Sequence, residues 1–391
     1  MFKKIISIFF CMIFSCSLYA AQRIKPGAEQ LDVYLPLLKN KRVAVFANHS
    51  SLVGKESLVD VLLNKNIHIV KIFAPEHGFR GEVDERISDS VDRRTGLPIV
   101  SLYGRKLTPT KEDLNDVDVI VFDIQDVGVR FYTYISSLQK VMEAAVNNQK
   151  RLIILDRPNP NGFYVDGPVL ERKYSSFTGM QPVPVVYGMT IGEYARMLVG
   201  EQWLKVSPKD KAHQLQLTII PCLHYTHKSL YVPPVKPSPN LPSIQSIYFY
   251  PSIGMMEGTV MSVGRGTHKP FQVFGHPKIH AKYHFTPIPM PGADSPRFKY
   301  KKCYGWSLAE NTHSVLQKPK GELQIQYLLR AYRLFPDKKH FFAGFNAVSG
   351  NDELKEQIQA GLSEKQIRAS WQPQLSEFRQ IRKKYLLYPD F

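Results

Sequence analysis

The feature that most restricts the fold is a set of five short, strongly apolar, β-branched runs in the first half of the chain, at residues 42–46, 67–73, 98–102, 117–124 and 151–155. Near-continuous apolar runs of this length suit strands covered on both faces. Helical spacing alternates with them. Residues 56–64 place Leu58, Val61 and Leu62 on one side, and residues 133–147 place Ile135, Leu138, Met142 and Ala145 three and four apart. A capping box of Thr190 and Glu193 opens another helix, and residues 215–223 read as a further strand. The alternation predicts an α/β fold with a Rossmann-like, doubly wound, mostly parallel sheet.

The segment 232–242 holds five prolines in eleven residues and cannot be regular structure, so it reads as a linker. Beyond it the texture changes. Residues 244–250 look strand-like, 284–305 form a Pro/Gly/Lys-rich loop, and helical patterns follow at 321–335, at 352–361 and from Ser363, where Gln366 completes a second capping box. The expected organisation is a Rossmann-like domain at 21–246 and a smaller α+β domain at 247–391.

The first twenty residues begin with Lys3 and Lys4, continue with fourteen uncharged residues, and end at Ala20. That is the pattern of a secretory signal, and it is shorter than the roughly 20 apolar residues of a membrane span. The chain is therefore expected to be exported, periplasmic or secreted, with Cys16 as an alternative lipid anchor and no membrane span. Four cysteines without CxxC spacing argue against a structural zinc site; Cys222 and Cys303 either pair or remain two buried thiols. The 51 Lys+Arg exceed the 34 Asp+Glu, giving +17 without a long basic run, which reads as solubility rather than nucleic-acid binding.

In an open parallel sheet, ligands sit outside the carboxyl ends of the strands. The first run is followed by Asn48 and His49, and the second by Glu76, His77 and Arg80. The fourth is followed by Asp123, Asp126 and Arg130, and the fifth by Asp156, Arg157 and Asn159. Taken singly, each of these residues has a structural explanation as a cap, a turn or an ion-pair partner; four convergent polar ends point to a cleft. No GxGxxG, P-loop, HExxH or GxSxG pattern is present. The ligand types His49, His77, Asp123 and Asp126 keep a metal-dependent amidase or deacetylase open as an alternative. Carboxylate chemistry fits better. Glycoside hydrolysis needs one carboxylic acid to protonate the leaving oxygen and normally a second carboxylate as nucleophile or base. Glu76 suits the acid, with Asp123 and Asp126 as candidate partners and His77 beside it; a salt bridge from Glu76 to Arg80 or Arg130 is the structural alternative.

These segments resemble the NamZ-like exo-β-N-acetylmuramidase family. The motifs are Ala74-Pro-Glu-His-Gly-Phe-Arg-Gly81, Thr95-Gly-Leu-Pro98 with Ser101-Leu-Tyr-Gly104, the run from Val121 to Ile135, Leu155-Asp-Arg-Pro-Asn-Pro160, Tyr187-Gly-Met-Thr190, Pro237-Ser-Pro-Asn-Leu-Pro242, Glu257-Gly-Thr259, Gly264-Arg-Gly-Thr267 and Tyr385-Leu-Leu-Tyr388. They keep their order from about residue 40 to the C-terminus. The resemblance implies a Rossmann-like domain and a smaller domain around a cleft. It also implies removal of terminal, non-reducing β-1,4-linked N-acetylmuramic acid from peptidoglycan fragments, with Glu76 as catalytic acid and no cofactor. Two positions depart from the family pattern: His49, in the first strand-end motif, and Ala74, where glycine is usual. Selecting the lactyl carboxylate of muramic acid calls for an arginine. Arg80 and Arg265 are favoured, Arg130 and Arg157 lie in matching motifs, and Glu257 belongs to the same expected binding set. Tyr132, Tyr134 and Phe271 are candidates for stacking on a sugar face. A two-domain protein that binds anionic wall fragments without cleaving them is the other alternative.

Overall fold

The computed structural model describes residues 22–81, 88–206, 214–308 and 321–391; the expected export segment lies outside the described residues. The strands are β1 (Val43–Phe46), β2 (Leu52–Val53), β3 (Glu56–Ser57), β4 (Ile69–Ala74), β5 (Ser90–Val91), β6 (Pro98–Ser101), β7 (Val119–Phe122), β8 (Arg151–Leu155), β9 (Asp166–Val169), β10 (Pro184–Val186) and β11 (Leu217–Ile220). In the second half come β12 (Val273–His276), β13 (Tyr283–Phe285) and β14 (Cys303–Ser307). Seven strands form one sheet in the order β11-β8-β7-β1-β4-β6-β5, parallel throughout except for the edge pair β5–β6. From β1 the chain builds outward through β4 and β6, then returns to place β7, β8 and β11 on the other side. The direction reverses between β1 and β7, which puts the binding crevice of a doubly wound sheet outside those two strand ends.

Each central strand is apolar on both faces because both are covered. Ala44 and Phe46 join one buried cluster, while Val43, Val45 and Ala47 join another. Helices α1 (Leu31–Leu38) and α2 (Leu58–Asn64) cover the second face; α4 (Tyr134–Asn147) and α5 (Ile191–Gly200) cover the first, with the short α3 (Lys111–Leu114) preceding β7. Phe46 and Phe122 stack across the switch point, with ring centroids 4.4 Å apart and planes 8° from parallel. The capping box expected at Thr190 opens α5, with Thr190 Oγ1 accepting from the Glu193 amide.

The expected strand at 244–250 is instead helix α6 (Ile244–Gly254). Its β-branched and aromatic residues suggested a strand, but Ser243 caps it through the Ser246 amide, and Ile247, Tyr248, Phe249, Tyr250 and Ile253 are all buried. A helix enclosed on every side shows no polar face, so its period is invisible in the sequence. After the three-stranded sheet β12-β14-β13 come α7 (Gln326–Leu334), α8 (Phe345–Ser349), α9 (Glu353–Gln359), α10 (Glu364–Ser370) and α11 (Gln372–Lys383). Ser363 and Gln366 make the capping box expected for α10.

The two halves share one core: Ile253, Met256, Phe271, Phe274 and Trp371 belong to the same buried cluster as β1, α4 and α5. The C-terminal residues close back on the first half. Arg382 donates to the Gly188 carbonyl at 2.7 and 2.9 Å, and the Tyr388 hydroxyl donates to Asp156 at 2.5 Å. Cys222 and Cys303 are both buried and free, in separate clusters. No helix among the described residues is long and apolar enough to cross a membrane.

Candidate active site

At the carboxyl end of β4 the chain turns sharply through Pro75, Glu76, His77 and Gly78. His77 and Gly78 both have φ of 70°, and the Gly78 amide closes the turn on the Pro75 carbonyl at 3.1 Å. A non-glycine residue in the left-handed region is costly and is held only where its surroundings over-determine it. The turn leaves Glu76 half-buried beyond the sheet edge. Its Oε1 accepts from the Tyr103 hydroxyl at 2.8 Å, and its Oε2 from Thr133 Oγ1 at 3.3 Å, just ahead of the first turn of α4. The salt bridges to Arg80 and Arg130 do not form. Burial and the Glu76 carboxylate hold the Tyr103 phenol well above its ordinary range, so it stays a donor.

The second half of the chain contributes Arg265. Its guanidinium is held by Glu257 at 2.6 and 3.2 Å and lies 5.1 Å from the Phe271 ring centroid. Burial works against its charge, but Glu257 first and Glu76 last outweigh that and hold the guanidinium above its ordinary range. The proline-rich linker forms the third wall. His77 Nε2 lies 3.4 Å from Ser238 Oγ, and the Tyr132 hydroxyl donates to the Pro237 carbonyl at 2.9 Å. His49 Nε2 lies 2.7 Å from the Lys236 carbonyl, which fixes it as the protonated nitrogen. Burial lowers the pKa of His49, so the ring is a neutral tie between strand end and linker. Gly81 makes room for it: a Cβ there would come within 3.0 Å of the His49 ring. Asn48 is enclosed and donates to the Tyr134 hydroxyl at 2.9 Å.

The remaining expected site residues lie deeper. Asp123 has no accessible surface, and Arg157 grips both its oxygens at 2.5 and 2.8 Å. Asp126 accepts from Tyr187 and from the Gly128 amide through Oδ2, while its enclosed Oδ1 has no partner among the described residues. Burial, opposed by those hydrogen bonds, pushes its carboxyl up to about 7. Asp156 accepts from Tyr388, Thr190 and the Gly192 amide, tying the end of β8 to the start of α5 and to the C-terminal tail; burial pushes it up to about 6. Asn159 braces the Met189 carbonyl and the Asn161 amide. Arg130 meets no carboxylate: its fully enclosed guanidinium donates to the carbonyls of Pro168, Val183, Val348 and Ser349, stapling β9 and β10 to α8. Arg80 is committed to Asp92 at 2.7 Å and Asp60 at 3.1 Å. These residues hold the floor and walls; substrate cannot reach Asp123, Asp156 or Arg130 without the fold opening.

The four candidate metal ligands do not converge, since Asp123 turns to Arg157 and Asp126 to Tyr187. Among the described residues no group of three or more His, Cys, Asp or Glu is placed to hold a metal. Three residues of the cup escaped the sequence reading: Tyr103, Thr133 and Ser238. The third apolar run, 98–102, is followed by Tyr103 and Gly104 without a charge, which gives no sign of chemistry there, although Tyr103, Thr133 and Ser238 all lie in matching motifs.

The family model for the exo-β-N-acetylmuramidase NamZ N-terminal domain matches residues 43–245, and that for the NamZ C-terminal domain matches residues 248–388. The peptidoglycan β-N-acetylmuramidase NamZ of Bacillus subtilis (strain 168) is 35% identical over 390 residues, covering 94% of this chain and 92% of that protein. Crystal structures of two DUF1343 family proteins from Bacteroides fragilis share the fold. One has a TM-score of 0.86 at 43% identity, covering 95% of this chain and all of that one. The other has a TM-score of 0.75 at 32% identity, covering 94% and 99%. Matched along both halves, the chain belongs to the NamZ family of exo-β-N-acetylmuramidases.

Proposed function

We propose that this protein is an exo-acting glycosidase that releases terminal, non-reducing β-1,4-linked N-acetylmuramic acid from peptidoglycan fragments. The observation that carries the reading is the cup itself. A half-buried carboxyl, Glu76, is positioned by Tyr103 and Thr133 from the first half and lies within the electrostatic reach of the Arg265–Glu257 pair from the second. Glu76 is the general acid. A sugar seated in the cup excludes water from the carboxyl, and the proton passes from Glu76 to the glycosidic oxygen as the bond to the anomeric carbon breaks. Asp123 and Asp126 are too enclosed to reach that carbon, so the 2-acetamido oxygen of the substrate takes the second role, bonding to the anomeric carbon as the glycosidic bond breaks. A water that gives its proton to the Glu76 carboxylate then opens the ring so formed and releases N-acetylmuramic acid.

Arg265 is the receptor for the lactyl carboxylate, because Arg80, the other arginine suited to it, is saturated by Asp60 and Asp92. The signal-like first twenty residues support action outside the cytoplasm, on cell-wall material. Incubating the purified protein with a muramic acid–glucosamine disaccharide tests the reading. Free monosaccharides are expected. Disaccharide bound but intact would make it a binding protein, and a deacylated product lost on chelation would make it an amidase or deacetylase.

A further inference from the structure

Positive charge is concentrated in the segment that starts at Arg265. Between Arg265 and Lys302 the sequence carries eight Lys/Arg and one acid, Asp294. The turn before β14 presents Lys299, Tyr300, Lys301 and Lys302 to solvent, with Tyr300 67% exposed. The Lys299 ammonium lies 5.3 Å from the Tyr300 ring centroid. Beneath the turn, Phe298 meets the His276 ring edge-on at 4.7 Å, and the amide of exposed Lys278 donates to His276 Nδ1 at 2.9 Å. His276 registers the local field: burial, then Lys278 and Arg297, hold its imidazole down to about 4.

One loop joins this surface to the rim of the cup. The Tyr300 amide donates to the Pro287 carbonyl, and the Ile288 amide to the Gly266 carbonyl beside Arg265, both at 2.8 Å. Farther along the loop, the Gly292 carbonyl accepts from Asn240 of the linker at 2.7 Å. Ile288, between the rim and the turn, is 45% exposed. An enzyme that takes the last sugar of a chain must let the rest of that chain leave over its rim. Here the rim leads across an apolar side chain and an exposed aromatic ring to a group of lysines.

We propose that the strip from Ile288 through Tyr300 to Lys299, Lys301 and Lys302 is a docking track for the part of an anionic peptidoglycan chain beyond the bond being cut. Tyr300 offers a face for a sugar ring. The lysines meet the carboxylates of the chain's muramic acids or of the stem peptides attached to them. Exposed lysines each contribute little, but together they steer and retain a polyanion in a salt-dependent way. The proposal rests on the muramidase reading for its orientation, and the experiment separates the two.

The full chain carrying Lys299→Glu, Lys301→Glu and Lys302→Glu, and separately Tyr300→Ser, is compared with the wild type on the disaccharide and on long glycan chains bearing stem peptides. On the disaccharide, kcat and KM are expected to stay within about twofold. On long chains, KM of the triple variant is expected to rise roughly tenfold at low ionic strength with kcat unchanged, the gap closing in high salt. Co-sedimentation with insoluble peptidoglycan should fall in parallel. Equal KM on long chains for variant and wild type would overturn the track, as would an equal loss on both substrates. Anionic lipid vesicles are the control, and retention by vesicles rather than by peptidoglycan would overturn it too. If the wild type cleaves neither substrate the muramidase reading fails, while the sedimentation comparison still decides whether the lysines hold the polymer.

Discussion

The strand ends of the first half carry similar residue types to two different fates. Asp123 and Asp156 follow directly on β7 and β8 and are enclosed between the helical layers, fully committed to Arg157 and to Tyr388, Thr190 and the Gly192 amide. Glu76 follows β4 by two residues, past a proline and into a left-handed turn, and stands half-buried outside the sheet. One residue of reach separates a group that holds the fold from a group that can meet a substrate. A carboxylate in the first position beyond a buried strand is still inside the layered core, where its charge must be matched at once.

The comparison breaks or sharpens by mutation. The largest effect is expected at Glu76: Glu76→Gln should lower kcat on the disaccharide by about 10²–10⁴-fold with an unchanged unfolding midpoint. Asp123→Ala should do the reverse. It leaves the Arg157 guanidinium buried without a partner and should cost about 3–5 kcal/mol in a denaturant titration; a fully stable variant would return Asp123 to the list of reacting groups. Arg265→Gln should raise KM for muramic-acid substrates roughly tenfold to a hundredfold, the worth of a charge-assisted hydrogen bond, while leaving affinity for a terminal glucosamine analogue unchanged.

Asp126 gives a pH test. Its folded-state carboxyl is raised to about 7 from an ordinary 3.8, so the native protein keeps that proton where the unfolded chain loses it. Its stabilising contribution is complete below about pH 4 and is lost as pH rises through about 7. The stability of the wild type relative to Asp126→Asn should therefore decline across that window by a few kcal/mol; a flat difference would place Asp126 in a wetter site. The smallest expected effect is at Tyr103, where Tyr103→Phe removes one hydrogen bond to Glu76 and should lower kcat about fivefold with KM unchanged.

Much of the frame was legible because burial on both faces writes itself as unbroken apolar runs, and caps such as Thr190 with Glu193 mark where helices begin. Helix α6 was not, since a helix enclosed on all sides has no polar face to reveal its period. At the candidate site, the position of Glu76 just beyond a strand end was legible from the apolar run that precedes it. The fates of Arg80 and Arg130 were not, because their partners Asp60, Asp92, Pro168 and Ser349 lie far away in sequence or bind through backbone carbonyls. Tyr103 was missed for a different reason: a phenol at an uncharged strand end shows no chemistry until the carboxyl it serves is beside it.

The most direct test of the acid role compares Glu76→Gln on two substrates that differ only in leaving group. A sugar hydroxyl needs its proton as it departs, whereas 4-nitrophenolate leaves readily without one. The variant should lose far more activity on the disaccharide than on 4-nitrophenyl N-acetylmuramide, with the fold intact. Wild-type turnover on both, or equal losses on both, would contradict the assignment of Glu76 as the proton donor.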